Sequence, residues 1–231
     1  MAILGTTYED LLKKLAGLQV EDAGFEDTAV AGQERLEQHI KDGWTYVKQH
    51  LPSRYRDMLT HVPGQLFQNI AEGTNQFTLD LADVDPTSVV AYLNFSRAWD
   101  TRTQADAVDV SEVSVAGQVV TLATSLAEDS WLIIEYDYDG TSLTPVAEDD
   151  DFTLQKNVLD VAAYYAGRES FQRTGDGDRM QYVLSYLEEV NTWLESLRMG
   201  DAGIPVLDNV KLYEDWSTPA TGIRNISAVR G

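Results

Sequence analysis

The 231-residue chain predicts an α+β fold, a discontinuous helical bundle domain carrying an inserted small antiparallel β-sandwich or barrel. Three observations lead there. Residues 62–151 hold 17 Asp and Glu against two bases, Arg97 and Arg102, and so supply −15 of the net charge of −21. The apolar period is helical on both sides of that stretch and close to two inside it. The flanks are nearly balanced, with 10 acids and 7 bases in 1–61 and 11 and 8 in 152–231, and each carries amphipathic stripes that it cannot bury alone. Burying one Leu or Ile is worth roughly 1.5–3 kcal/mol, so the two flanks are expected to pack on each other. The expected domains are 1–61 with 152–203 as one helical body, 62–151 as an inserted acidic β domain, and 204–231 as an extended C-terminal arm.

The elements follow in order. Thr6 or Thr7 caps a short helix to about Ala16, with Glu9 and Asp10 in its first turn and Gly17 at its end. After the polar link Asp22–Asp27, a long helix is expected from Thr28 to His50. Val30, Leu36, Ile40, Trp44, Val47 and Leu51 form its apolar stripe. Pro52 stops it and Ser53 restarts a short helix to about Thr60. Strands are expected at Phe77–Leu81, Ser88–Asn94, Glu112–Val115, Val119–Leu122 and Ser130–Asp139. Ala116-Gly-Gln118 makes the third and fourth a hairpin. In the last, Leu132, Ile134, Tyr136 and Tyr138 alternate with Glu135, Asp137 and Asp139. Helical periodicity returns at Phe152 with Leu154, Val158, Val161, Ala162 and Tyr165, and the small Ala162, Ala163 and Ala166 let a neighbouring helix approach closely. Asp176 or Asp178 caps a last long helix with Met180, Val183, Leu184, Leu187, Val190, Leu194 and Leu197 along a near-heptad seam. Gly200 and Gly203 close it.

Composition excludes several functions. There is no Cys, which removes disulfides, Cys-ligated zinc and thiol nucleophiles. Met1–Tyr8 lacks the basic start and apolar run of a signal peptide, and no stretch approaches the ~20 apolar residues of a membrane span, so a soluble protein without membrane contact is expected. At −21 and without a basic patch, the chain has no means of gripping DNA through counterion release. The same charge suits a wall past which DNA must slide.

No catalytic or metal motif stands out. His39, His50 and His61 recur every eleven residues, which puts successive members about 16 Å apart on a helix, too far for one metal. Asp149-Asp-Asp151 and Glu135/Asp137/Asp139 offer calcium-type oxygens but read as linker and solvated strand charge. Asp176-Gly-Asp178 opens like a calcium loop whose twelfth position is Leu187 rather than Glu. A carboxylate pair of the glycosidase type arises by chance in so acidic a chain. There is no Gly-x-Ser-x-Gly elbow, phosphate loop or dinucleotide fingerprint. The expectation is no enzyme and no cofactor. Trp216, Ile223 and Ile226 lie in a tail without helical period, which reads either as a disordered terminus or as an arm that docks apolar anchors on another subunit and orders only on assembly.

The helical flanks, read consecutively, resemble the head–tail connector (adaptor, head-completion) proteins of tailed bacteriophages. The residues that carry the likeness are Tyr8-Glu-Asp-Leu-Leu12, then Gly43-Trp44-Thr-Tyr46 through His50-Leu51-Pro52. Asp160-Val-Ala-Ala-Tyr-Tyr165 follows, then Tyr186 to Trp193-Leu194 and the exit Gly203-Ile204-Pro205. About 140 residues are covered, and order and spacing carry the likeness; the β insert departs from the family pattern. Within it, Asp85–Asn94 and Leu126–Tyr136 are similar to β modules of phage tail and fibre proteins. The resemblance implies a structural virion protein of the phage neck, assembled in the host cytoplasm: a homo-oligomeric ring of twelve copies beneath the portal, bridging it to the next neck or tail component and forming part of the DNA channel without specific DNA binding. Intersubunit contact would use the exposed side of the long helix and the helix of Tyr164 and Tyr165, and the tail around Trp216, Ile223 and Ile226 would reach the portal. The other reading is a tail-associated binding module whose β insert recognises a glycan or another tail protein.

Overall fold

Thr7 shows how locally the first helix is encoded. Its hydroxyl accepts from the Asp10 N–H while the Asp10 carboxylate accepts from the Thr7 N–H, a reciprocal capping box that starts α1 (Tyr8–Lys14). The computed structural model describes residues 3–15, 29–93, 106–107, 113–128, 130–145, 149, 152–174 and 177–212. Among these residues the fold is mixed α+β, with six helices and two small antiparallel sheets. Two compact units are resolved: the described residues of Met1–Arg56 with Thr141–Asp208, and those of Asp57–Gly140 with Asn209–Gly231.

The first unit is helical. It contains α1, α2 (Ala29–His50), most of α3 (Ser53–Met58), α4 (Thr153–Thr174), α5 (Gly177–Met199) and α6 (Pro205–Asp208). The stripe expected of α2 is its core face, with Leu36, Ile40, Trp44, Val47 and Leu51 all buried; the side chain of Val30 lies outside the described residues. α2 packs on α4, α4 on α5, and α1 on both α2 and α4. The small residues of α4 permit the α2 contact. A Cβ on Gly43 would stand 2.5 Å from the Val158 carbonyl oxygen and 3.1 Å from Ala162 N, so the backbones meet where glycine faces alanine. Asp149, read as linker charge, is buried, and both its carboxylate oxygens accept from Thr153 N at the start of α4. At the far end of α5, Gly200 takes φ +81° and Asp201 N donates to Ser196 O at 2.9 Å, the six-to-one bond of a Schellman turn. Leu184, placed in the buried seam by its spacing, lies instead on the outer side of α5, 37% exposed.

The second unit holds the strands β1 (His61–Phe67), β2 (Gln76–Thr78), β3 (Val90–Leu93), β4 (Asp106–Ala107), β5 (Val113–Ala116), β6 (Val119–Leu122) and β7 (Leu132–Asp137). One sheet has the order β1-β7-β3-β4 and the other β2-β6-β5, every pair antiparallel. β7 is central, with β1 and β3 on either side, so Ile133 is buried as well as Leu132, Ile134 and Tyr136. Gly117, at φ +61°, turns β5 into β6. The two sheets meet where the rings of Phe67 and Phe77 stand edge to face at 5.3 Å. The buried Gln65 Oε1 joins them too, accepting from Tyr136 Oη at 2.9 Å and Asp80 N at 3.1 Å. Asp85-Pro-Thr-Ser88 is a side-chain-locked turn. Thr87 N and Oγ1 donate to Asp85 Oδ1, and Ser88 Oγ accepts from Asp137 N at the end of β7.

β1 is an element the sequence reading missed. Pro63-Gly64 interrupts it, and its register against β7 shifts between Val62 and Gln65, with Gly64 at φ +142°. The segment from 204, expected as an extended arm, begins differently. Ile204, Leu207 and Val210 are buried, Pro205–Asp208 is helical, and Lys211–Leu212 join the outer edge of β1 through Leu66 N to Lys211 O and the Gln65–Leu212 bridge. Residues 213–231, with Trp216, Ile223 and Ile226, lie outside the described residues.

A candidate assembly surface on the helical unit

Tyr164 and Tyr165 follow the apolar run of α4 and sit side by side, half-buried, with ring centroids 5.4 Å apart. Burial raises the Tyr165 phenol above its ordinary value, and Tyr46 and Asp42 of α2 add to the shift. Tyr46 stacks on His50 at 4.2 Å and donates to Asn191 Oδ1 of α5 at 2.9 Å. Tyr46 thus links α2 to α5, and Tyr164 and Tyr165 lie further along α4. His50 Nδ1 lies 2.8 Å from the Tyr46 carbonyl oxygen, His39 pairs with Glu169 at 3.0 Å, and His61 pairs with Asp137 at 2.7 Å. The three histidines are thus engaged separately. Among the described residues no group of three or more His, Asp or Glu side chains is placed to share a metal ion.

A charge cluster centres on the buried carboxylate of Asp160. Asp160 is 1% exposed in its side chain, with Lys14 Nζ against Oδ1 and Lys156 Nζ 3.6 Å from Oδ2. Lys156 also reaches Glu189 at 3.5 Å. Tyr186 covers Lys14, its ring centroid 5.4 Å from the ammonium, and its hydroxyl donates to the Lys14 carbonyl oxygen at 3.1 Å. Burial first, then the Tyr182 hydroxyl 2.7 Å away, pushes the Tyr186 phenol upward. A carboxylate out of water is tolerated only with such partners. Lys14, Asp160 and Tyr186 thereby tie α1, α4 and α5 together. The sequence signal was an acid set inside the apolar run Val158-Leu-Asp-Val-Ala162; its partner, 146 residues away, had none.

The outer side of α5 completes the surface. Tyr182, Leu184 and Met199 are 54%, 37% and 70% exposed, and they are the exposed large hydrophobic side chains among the described residues. Leu184, Glu188, Thr192, Glu195 and Met199 follow one another at helical steps, a line of about 22 Å. Beside it Ser185, Glu189, Trp193 and Ser196 help line a shallow depression of about 600 Å³. Arg198 bonds Glu195 at 3.0 Å and donates to the His50 carbonyl at the end of α2 at 3.2 Å, where a cation suits the helix C-terminus. What these three helices offer is surface: rings, alkyl groups and carboxylates.

Among the described residues no helix is long and apolar enough to cross a membrane. No protein family, curated protein or solved structure matches this chain.

Proposed function

We propose that the chain is a structural protein of the phage neck, an adaptor ring that joins the portal to the next neck or tail component and forms part of the DNA channel. The helical unit is read as one discontinuous bundle domain and the acidic strand segment as its guest. The observation that carries the reading is the composition of the first unit, in which the two sequence-separated flanks contribute α1, α2, α4 and α5. The quoted connector-like residues fall on its helices. Tyr8–Leu12 lie in α1, Trp44–His50 end α2, Asp160–Tyr165 run along α4, and Ile204 precedes α6, which Pro205 opens. The guest reading is supported by β1 and β7, the first and last strands of the acidic segment, which pair with His61 opposite Asp137, so the segment departs and returns at neighbouring points.

Function follows from surface and charge. A ring needs faces that bury against copies of the same chain, and α2, α4 and α5 supply half-buried tyrosines and exposed alkyl groups. The acidic segment lets DNA pass without holding it. Negative-stain images of the full chain mixed with its portal test this. Rings seated on the portal are expected, and a chain that stays monomeric and never associates with the portal overturns it. Glycan binding by a chain that ignores the portal would favour the tail-associated binding module.

A further inference from the structure

The hairpin of β5 and β6, residues 113–122, contains no charged residue, although it lies within the 62–151 stretch that holds 17 acids. Its register shows where each backbone group points. Leu122 N donates to Asn75 O at 2.9 Å, just before β2, so the alternate residues Val119 and Thr121 of β6 bond towards β5. Opposite them, Ala116 and Ser114 turn their N–H and C=O inward to β6, and Val113 and Val115 turn theirs outward. β5 is the last strand of its sheet among the described residues. The outer edge of β1 is guarded, by Pro63, by the irregularity at Gly64 and by Lys211–Leu212. Side chains at the β5 edge are as open as its backbone. Val113 and Val115 stand opposite the buried Leu122 and Val120, and Val120 stands opposite the buried Phe77. The apolar face therefore runs out to the edge, where Val113 and Val115 are only half-buried.

We propose that β5 pairs with β5 of a second copy of this chain, antiparallel about a two-fold axis at Ser114, so that the two sheets become one. The occupant follows from the strand itself. Val113-Ser114-Val115 reads the same in both directions. An antiparallel copy thus sets Val113 against the partner's Val115 and bonds every outward N–H and C=O of these valines in both copies. Ser114 then faces its own counterpart, in a pair without hydrogen bonds. The same register carries the apolar face across the axis and buries the valines further. Charge favours this strip as well. Two chains of −21 repel each other, and this hairpin is a neutral window in the most acidic stretch. The contact is isologous, unlike the head-to-tail contacts of a ring, and does not rest on the neck reading.

The chain has no cysteine, so one can be placed on the axis. In a pair without hydrogen bonds the Cα atoms lie about 4.5 Å apart, within the range of about 4.4–6.8 Å that a disulfide spans. Full-length Ser114→Cys is oxidised mildly and its disulfide dimer timed. The controls are full-length Ala116→Cys, exposed two residues along the same face, and Thr45→Cys, exposed on α2. Ser114→Cys is expected to dimerise at least tenfold faster than either. Val115→Pro removes an outward N–H, which an edge strand tolerates. In the Ser114→Cys chain it should return the rate to the Thr45→Cys level with circular dichroism unchanged. If proline disturbs the fold, Val113→Glu, which brings a carboxylate to the edge from each copy, is expected to slow the dimer equally. Equal rates for the three cysteines overturn the proposal, and an edge covered by another segment of its own chain or by a different protein gives that result. So does a Ser114→Cys dimer that neither edge substitution slows. Rings on the portal without this dimer leave the neck reading standing and remove only the β5 contact; the dimer without rings does the reverse.

Discussion

Asp160 concentrates the physics of the helical unit into one side chain. Its carboxylate is buried against the ammonium groups of Lys14 and Lys156, which keep partial contact with solvent, so breaking the Lys14 pair costs about 1–3 kcal/mol, less than a fully buried pair. Asp160→Ala and Lys14→Met are each expected to lower the unfolding free energy on that scale in urea titrations. The double variant should lose much less than the sum; strictly additive losses would mean that Lys14 and Asp160 do not act as a pair. The tyrosines give a second residue-scale expectation. Burial raises the phenols of Tyr55, Tyr136, Tyr138 and Tyr186, with Asp208 adding to the shift at Tyr55. An unfolded tyrosine ionises near pH 10, so above about that pH the unfolded chain releases protons that the folded chain keeps. Stability is then full below about pH 10 and falls as pH rises beyond it. Phenolate absorbance should rise in part for the open tyrosines and complete only with cooperative loss of circular dichroism. Complete ionisation while the fold persists would contradict the burial.

At the scale of elements, the helices were legible and the sheet less so. The α2 stripe from Leu36 to Leu51 and the α4 stripe with its alanines state both the helix and the face it buries, since each repeats a period over many residues. Thr7 and Gly200 mark helix ends through chemistry that is local in sequence. β1 was hidden because Pro63 and Gly64 break its alternation, and what makes it a strand is pairing with β7 and with Lys211–Leu212, far away in the chain. Leu184 misled for a related reason: a heptad position says that a side chain can be buried, and only the neighbour decides whether it is. Close approach of α2 to α4 yields a sharp expectation. Alanine in place of a helical glycine ordinarily stabilises by up to about 1 kcal/mol. Gly43→Ala should instead destabilise by about 1–3 kcal/mol, because the new methyl meets the Val158 carbonyl and Ala162 backbone. A rise in melting temperature for that variant would mean that the helices are further apart.

For the whole molecule, charge density and apolar period change together at either end of 62–151, and the strands of the described residues run from His61 to Asp137. The candidate surface was legible only in part. Tyr164 and Tyr165 were visible as aromatics ending an apolar run, whereas the exposure of Tyr182, Leu184 and Met199 needed the packing of α5 against α4 before it could be seen. The neck reading depends on the two flanks forming one body without help from the strands. The strand segment offers a direct way to ask, because Tyr138 N donates to Thr60 O at 3.2 Å, close enough for a short linker. Replacing residues 61–137 with a Gly-Asn-Gly turn and following urea unfolding by far-ultraviolet circular dichroism is the most direct measurement. A helical chain that unfolds in one cooperative transition is expected. A gradual, non-cooperative loss of helix, or a chain with little helix at all, would contradict it.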